Sequence, residues 1–303
     1  MNYWTLKIMK KNLIKHFFKI NIFALFFIFI FTASSFAKAI DVTVSILPQK
    51  YFVNKIAGNL VNVSVMVLPG ANPHTYEPSP QQMVKLSKSL AYITIGMPFE
   101  DRWLKKFSDI NSKMKIIETQ KNIKKLPMLY HDSDNIEKES SLDPHIWLSP
   151  SLVKIQAKNI FDGLVSIDSK NKDTYQKNYN SFIKELNGLD AYIRTSFKKI
   201  KGKKDFVAFH PSWGYFAKDY GLNQIPIEIE GKEPKPHDLE NLIKYCKKNN
   251  IKMIFVQPQF STRIAKIIAS SINGKVVFMD ALSENWKENL IITTQTFESA
   301  LRK

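Results

Sequence analysis

Residues Lys170 to Ile200 read KNKDTYQKNYNSFIKELNGLDAYIRTSFKKI and contain no proline. Apolar side chains recur in this stretch every three or four residues, at Tyr175, Tyr179, Phe182, Leu186, Leu189, Ile193 and Phe197. This period is that of an α-helix, and about thirty residues at 1.5 Å each give a helix of roughly 45 Å. Blocks of alternating strand and helix patterns lie on both sides of it. We therefore predict a rigid connector that runs the length of two α/β lobes.

The two blocks beside the connector are expected to contain parallel sheets, because each alternates apolar strand-like runs with helical patterns. In the first block, strands are predicted at Val42–Leu47, Val61–Leu68, Ala91–Ile95 and Lys115–Ile117. In the second block, they are predicted at Phe206–Phe209, Ile225–Ile229, Lys252–Val256 and Val276–Met279. We predict an N-terminal lobe over residues 40–169, the connecting helix over residues 170–200 and a C-terminal lobe over residues 201–303.

The first 39 residues differ in composition from the rest of the chain. Five lysines between Lys7 and Lys19 precede an acid-free apolar run from Ile20 to Phe31, and small residues then lead to Ala37-Lys38-Ala39. This is the pattern of a cleaved secretory signal peptide. A retained membrane anchor is the alternative, but the apolar run is shorter than the about 20 residues that a spanning helix needs. We predict a signal peptide over residues 1–39, with cleavage after Ala39 or Ala37.

The mature chain is expected in a periplasm without a lipid anchor, since no cysteine lies near the cleavage site. The formal charge of the whole chain is +17, and the leader holds six lysines and no acid, which leaves +11. Lysine far outnumbers arginine, which is a poor match to a protein that reads phosphates in a bidentate manner. We therefore expect a solvated basic surface and no nucleic-acid partner.

His74 lies in the stretch Leu68-Pro-Gly-Ala-Asn-Pro-His-Thr-Tyr-Glu-Pro-Ser-Pro-Gln-Gln-Met83. A predicted strand precedes it, and Ser79 followed by Pro80 predicts a capped helix start after it. Prolines on both sides fix φ and lower the entropy of ordering the imidazole. Such a stiff loop suits a metal ligand, although a lone histidine on a loop is more often an exposed polar residue.

Three other candidate ligands occupy comparable positions in the chain. His145 lies just before a predicted helix, and His210 and Asp280 each follow directly after a predicted strand. In open α/β sheets, ligands bind beyond the carboxyl ends of the strands. We therefore predict that His74, His145, His210 and Asp280 converge in the cleft between the lobes. Three imidazoles and one carboxylate suit Zn²⁺ and can also hold Mn²⁺ or Fe²⁺.

A metal site alone does not predict an enzyme. A catalytic zinc keeps one coordination position open and needs a base nearby. Glu77 and Glu230 are the candidate bases, but the sequence contains no His-Glu-x-x-His helix and no Gly-x-Ser-x-Gly elbow. Four protein ligands would also close the centre. We predict capture of the ion and no catalysis, with a secreted zinc hydrolase and a surface adhesin as alternatives.

Four phrases of the sequence together resemble one family. They are Leu68-Pro-Gly-Ala-Asn-Pro-His-Thr-Tyr-Glu-Pro, Asp143-Pro-His-Ile-Trp-Leu-Ser-Pro, Ala208-Phe-His-Pro-Ser-Trp-Gly-Tyr and Gln257-Pro-Gln-Phe-Ser. In this order they are similar to the zinc-uptake branch of the metal-binding solute-binding proteins, which serve ATP-driven importers. The resemblance runs from about Asp41 to the C-terminus. It implies two α/β lobes joined by a rigid helix with the ion between them, three histidine ligands at His74, His145 and His210, and a carboxylate ligand at Asp280.

The resemblance also implies which ion is bound. In this family a histidine at the third position goes with zinc and a glutamate goes with manganese, so His210 favours zinc, and a manganese or iron receptor is the alternative. Zinc-uptake members often carry a long histidine-rich loop where this chain has Pro127 to Asp143, with His131. Gln257 stands where the resemblance implies an acid, so a contact behind the ligands is expected to be altered. We expect a monomeric periplasmic protein that delivers Zn²⁺ to the permease of an ABC importer.

Overall fold

A computed structural model describes residues 3–4, 9–10, 39–128, 142–228 and 232–302. The chain divides into two compact units, residues 1–38 and 39–303, and the second unit contains both lobes of the fold. Almost all of the predicted signal peptide lies outside the described residues. The same is true of Glu230 and of most of the loop from Pro127 to Asp143, including His131.

A parallel sheet of four strands forms the first lobe, in the order β2-β1-β3-β4. The strands are β1 (Ile40–Val44), β2 (Val61–Val65), β3 (Ala91–Thr94) and β4 (Lys115–Glu118). The helices of this part of the chain are α1 (Leu47–Ala57), α2 (Pro80–Leu86), α3 (Pro98–Ile110) and α4 (Pro150–Ile167). Every residue of β3 is buried, which is typical of a parallel sheet covered on both faces.

The second lobe repeats the same strand order, β6-β5-β7-β8, again with all pairs parallel. Its strands are β5 (Asp205–Ala208), β6 (Asn223–Pro226), β7 (Met253–Val256) and β8 (Lys275–Phe278). Between the lobes runs α5 (Lys172–Lys198), and the second lobe adds α6 (Gly214–Tyr220), α7 (Pro236–Lys248), α8 (Arg263–Ser271) and α9 (Trp286–Leu301). The predicted fold class is confirmed. β6 starts two residues before the predicted Ile225 and ends at Pro226, so the prediction of strand as far as Ile229 is wrong for residues 227–228, and Ile229 itself lies outside the described residues.

The start of α1 differs most from the sequence prediction. The first strand was expected to run to Leu47, but β1 ends at Val44 and the helix begins at Leu47. Pro48 does not delay the helix, because an amide hydrogen is not needed in the first turn. The side chain of Gln49 accepts the N–H groups of Ser45 and of the residue after it, at 3.0 and 3.2 Å. These two bonds turn the chain from strand into helix earlier than Pro48 suggests.

The connecting helix α5 has 27 residues, which corresponds to about 40 Å. Glu185 near its middle accepts hydrogen bonds from Tyr51 and Lys55 of α1, at 2.7 and 2.8 Å. Asp190, further along, accepts a bond of 2.9 Å from the Tyr220 hydroxyl of α6. The helix is thus bonded to both lobes, as a rigid connector requires. Within the part of the chain that the structure describes, no helix is both long and apolar enough to cross a membrane.

Two helical glycines test how closely α4 packs on the first sheet. A Cβ at Gly163 on α4 would come within 2.6 Å of the Ile117 side chain of β4, whereas nothing lies within 4 Å of one at Gly188 on α5. We expect Gly163→Ala to lower the free energy of unfolding by about 1–3 kcal/mol through overpacking. Gly188→Ala should raise it by about 0.5–1 kcal/mol, because alanine favours the helix. Urea unfolding followed by circular dichroism measures both, and a Gly163→Ala variant as stable as the unaltered chain, or more stable, would contradict the close packing at Gly163.

Candidate metal centre

His74 lies on the loop between β2 and α2, and local hydrogen bonds order this loop. The side chain of Asn72 accepts the N–H of His74 at 2.9 Å, and Pro73 between them is buried. At the other end, Ser79 caps α2 as predicted, since its hydroxyl accepts the N–H of Gln82 while the Gln82 side chain accepts the N–H of Ser79. The imidazole is half-buried and points towards the second lobe, where it meets His210.

His145 is fully buried, just before a 3₁₀ turn over Ile146–Leu148. One carboxylate oxygen of Asp143 accepts both the backbone N–H of His145, at 2.9 Å, and its ring Nδ1–H, at 2.7 Å. The next helix, α4, begins after Ser149, whose hydroxyl accepts the N–H of Leu152, as the sequence predicts. The Asp143 contact leaves Nε2 of His145 as the free ring nitrogen.

The segment that carries His145 is hydrogen-bonded to the second lobe, although it precedes the connector in the chain. The indole N–H of Trp147 donates to the carbonyl of Ala281 at 2.7 Å. The indole N–H of Trp286, the first residue of α9, donates to the carbonyl of Trp147, also at 2.7 Å. These bonds are buried. They fix His145 against the lobe that contains His210.

His210 follows β5, and neighbouring strands hold it at several points. Gln257, which follows β7, accepts its backbone N–H at 3.3 Å and donates to its carbonyl at 2.8 Å. Glu228, which follows β6, lies 2.6 Å from ring Nδ1. The ring of Phe260 stacks on the imidazole, with 4.9 Å between centroids and 18° between planes. Gln257, where the resemblance implies an acid, thus orders the backbone, and Glu228 supplies the acid.

The three imidazoles meet through their Nε2 atoms. Nε2 of His210 lies 3.2 Å from Nε2 of His74 and 3.2 Å from Nε2 of His145. The ligating atoms of all three residues lie within 4.8 Å of one another. Nitrogens bound to a tetrahedral zinc ion at 2.0–2.1 Å are about 3.3 Å apart, which agrees closely with these separations. The cluster can therefore hold one metal ion without a large rearrangement of the histidines.

Residues 42–303 match the family described as the zinc-uptake complex component A, periplasmic (ZnuA). The chain belongs to this family. It is 28% identical over 267 residues to the high-affinity zinc uptake system protein ZnuA of Bacillus subtilis, with 85% of this chain and 83% of the relative covered. A crystal structure of ZnuA superposes with a TM-score of 0.82 at 44% identity, covering 87% of this chain and all of that one. A ZnuA deletion mutant with zinc bound gives 0.82 at 43% identity, covering 88% and 99%.

Members of the ZnuA family are receptors for transport, and this chain is not an enzyme. Neither of the two candidate bases of a zinc hydrolase, Glu77 and Glu230, supports an enzyme. Glu77 is exposed and is not among the described residues that line the cleft, and Glu230 lies outside the described residues. The family identity favours capture of an ion over its use in hydrolysis.

Asp280, the fourth predicted ligand, does not join the three histidines. It lies two residues after β8, where the sequence places it, but one of its carboxylate oxygens accepts the N–H of Leu282 at 2.8 Å. The next residues, Ala281 and Leu282, line the cleft in its place. The structure brings together three of the four predicted ligands.

Burial keeps two of the clustered imidazoles, those of His74 and His145, unprotonated. It lowers the pKa of His74 to about 2, and the neighbouring His145 and His210 lower it further in the same direction. Burial also holds the pKa of His145 well below its ordinary range, assisted by His210 and by Lys125. The pKa of the Asp143 carboxyl is raised to about 7, again by burial. A neutral imidazole is the form that binds a metal, so His74 and His145 are in the ligating state at neutral pH.

Sequence reasoning missed the roles of two carboxylates, Asp143 and Glu228. Asp143 stands two residues before His145, and an acid at that spacing can fold back on a histidine ring, so the sequence did contain a local signal. Glu228 has no such signal. It is 18 residues from His210, and the contact exists only because β5 and β6 are paired.

Acid should destabilise the metal-free protein. An unfolded chain protonates histidine near pH 6.5, whereas folded His74 stays neutral down to about 2. Below about pH 6.5 the unfolded state therefore binds more protons, and stability that is complete at pH 7 is lost as the pH falls. Asp143 acts in the opposite sense between about pH 4 and 7, because its raised pKa gives the folded state the extra proton.

The His74→Gln variant removes the contribution of His74 to the pH dependence of stability. Its melting temperature should fall less between pH 7 and pH 5 than that of the unaltered chain, since one buried neutral imidazole is gone. Calorimetry in the presence of a chelator gives this comparison, and His237→Gln, at an exposed position on α7, is the control. An equal fall in the His74 variant and the unaltered chain would contradict a buried, neutral His74.

Proposed function

We propose that the mature chain captures one Zn²⁺ ion through His74, His145 and His210 and delivers it to the permease of an ABC importer. The observation that carries this proposal is the convergence of three imidazoles, in which Nε2 of His210 lies 3.2 Å from Nε2 of His74 and 3.2 Å from Nε2 of His145. Membership of the ZnuA family and the similarity to a zinc-bound ZnuA deletion mutant support zinc as the ion. The protein performs no chemistry on its cargo.

Zinc is favoured over manganese by the donor set. Three imidazole nitrogens suit borderline Zn²⁺, whereas Mn²⁺ prefers sites that are rich in oxygen. The sequence-derived alternative, a manganese or iron receptor, would need additional oxygen donors at the same place. Competition between zinc and manganese in calorimetry distinguishes the two possibilities.

The fourth coordination position is open to two ligands, Asp280 or a water molecule, and we propose Asp280. A zinc ion held by protein is almost always four-coordinate, and a carboxylate would also contribute negative charge. On binding, Asp280 would give up its bond with Leu282 and turn into the cleft beside Ala281.

We propose that residues 1–39 are removed as a signal peptide and that the mature protein is periplasmic, unlipidated and monomeric. The family is described as periplasmic, which supports this location in general terms. We also propose that residues 40–169 and 201–303 are the two lobes and residues 170–200 the connector. The mass of the exported protein tests the cleavage site. A mass that retains the leader would contradict it, and so would one that carries a lipid.

Substitution of the clustered histidines should abolish tight zinc binding. We expect one Zn²⁺ per chain in the unaltered protein. His74→Ala, His145→Ala and His210→Ala should each lose more affinity than the 10–100-fold typical of losing an outer hydrogen-bond partner of a ligand. Competition with a chromophoric chelator measures the affinities. His237→Ala is the matched control, because His237 is exposed on α7 and lies outside the cluster.

Two further variants separate the remaining alternatives. Asp280→Asn should weaken zinc binding if the carboxylate coordinates the ion, and should leave it unchanged if water fills the fourth position. The triple variant with alanine at the three clustered histidines should also fail to support zinc uptake in cells. If that variant kept a matrix-binding activity, an adhesin function independent of the ion would be indicated. A folded, unaltered chain that takes up neither zinc nor manganese at micromolar concentration would contradict the proposed function.

A further inference from the structure

We propose that Glu228 is a positioning residue for zinc capture, which holds His210 in the tautomer that presents an unprotonated Nε2 to the ion. This inference rests on the proposed function. It assigns a role to a buried acid that does not itself touch the ion.

The contact between Glu228 and His210 is short and buried. Glu228 is 3% exposed and His210 is 6% exposed, and Oε1 of the carboxylate lies 2.6 Å from Nδ1 of the ring. An ionised carboxylate can only accept a hydrogen bond, so the ring proton sits on Nδ1 when Glu228 is ionised. A neutral imidazole has one ring proton, and Nε2 therefore keeps its lone pair. That nitrogen is the one that faces His74 and His145.

The backbone fixes this contact from both sides. The N–H of Glu228 donates to the carbonyl of Phe209 at 3.1 Å, so the acid and His210 project from adjacent, hydrogen-bonded segments. Gln257 holds the backbone of His210 from the neighbouring strand, and Phe260 covers one face of its ring. Rotation of the imidazole away from the cluster would break its contacts with Glu228 and Phe260. Glu228 can therefore orient the ring as well as select its tautomer.

Without Glu228, the cluster has a competing arrangement. Nε2 of His210 and Nε2 of His145 are 3.2 Å apart, which is a suitable distance for one ring to donate an N–H to the other. A proton on Nε2 of His210 would satisfy that geometry and block the metal-binding lone pair. The carboxylate disfavours this arrangement because it accepts a hydrogen bond from Nδ1–H and so stabilises the ring with its proton on Nδ1. It also makes the imidazole a stronger donor to a cation.

His74 provides a contrast within the same cluster. In the described ranges, its ring has no carboxylate partner, and its Nε2 atom contacts His210. Its tautomer is thus not fixed by a neighbouring acid, and it can donate from Nε2 to His210 when no ion is bound. The tautomer constraint therefore acts on His210 and, through Asp143, on His145, but not on His74.

The tautomer can be read directly in the metal-free protein. Long-range ¹H–¹⁵N correlation spectra of the chain labelled at histidine, treated with a chelator, distinguish Nδ1–H from Nε2–H rings. His210 should be an Nδ1–H ring in the unaltered chain. In Glu228→Gln the charge is lost and the amide NH₂ can donate to Nδ1, so a substantial Nε2–H population should appear. Zinc affinity should fall by about 10–100-fold in the same variant.

Two other variants make the test specific. Glu240→Gln makes the same chemical change at an exposed position on α7, where the acid pairs with Lys244, and it should alter neither the tautomer nor the affinity. Glu228→Asp keeps the charge but shortens the side chain. It should preserve the Nδ1–H tautomer and bind zinc with an affinity between those of the unaltered chain and the Gln variant. If Glu228→Gln does not fold, Glu228→Asp still tests whether the position of the carboxylate affects zinc affinity.

Two results would overturn the proposal. One is an Nε2–H ring for His210 in the unaltered, metal-free chain. The other is a folded Glu228→Gln variant whose tautomer is unchanged and whose zinc affinity is within twofold of the unaltered chain. The NMR measurement needs no ion. If the unaltered chain failed to bind zinc, the proposed function would be contradicted. The NMR measurement would still show whether Glu228 sets the tautomer of His210.

Discussion

The convergence of three ring nitrogens on one point is the constraint on which the rest of this structure depends. With both Nδ1 atoms of His145 and His210 bonded to acids, their Nε2 lone pairs face each other at 3.2 Å and repel. No apolar packing relieves that repulsion, but a cation does. The surrounding contacts, from the acids to the stacked ring of Phe260, hold the nitrogens in place against it. The cleft is therefore arranged for a positive ion before the ion arrives.

The two lobes could be predicted from the sequence because their signals are local. The apolar period of residues 170–200 gives the connector, and strand-like runs that alternate with helical patterns give two parallel sheets. The start of α1 also has local signals, since Pro48 stands in the first helical turn and Gln49 bonds back to Ser45, four residues away. The prediction is wrong there because a proline after an apolar run fits both the end of a strand and the first turn of a helix, and the apolar pattern does not distinguish the two.

The residues of the site depend on both local sequence signals and tertiary contacts. The position of His210 after a strand was sufficient to predict it, because parallel strands end at one edge of a sheet. The same rule selected Asp280, yet the structure groups only the three histidines, and one oxygen of Asp280 accepts the N–H of Leu282. Topology gives the neighbourhood of a side chain, whereas its rotamer is set by the nearest hydrogen-bond partners. Glu228 illustrates the converse, since nothing in its surrounding sequence marks it, and only the pairing of β5 with β6 brings it to His210.

The two indole bonds that tie the Trp147 segment to Ala281 and α9 have a further consequence for access to the cleft. The ring of Trp286 also packs against Tyr51 and Phe52 of α1, so one indole is in contact with both lobes. A wide opening of the lobes would have to break these buried bonds and ring contacts together. A rearrangement confined to the loop of His74 would leave all of them intact.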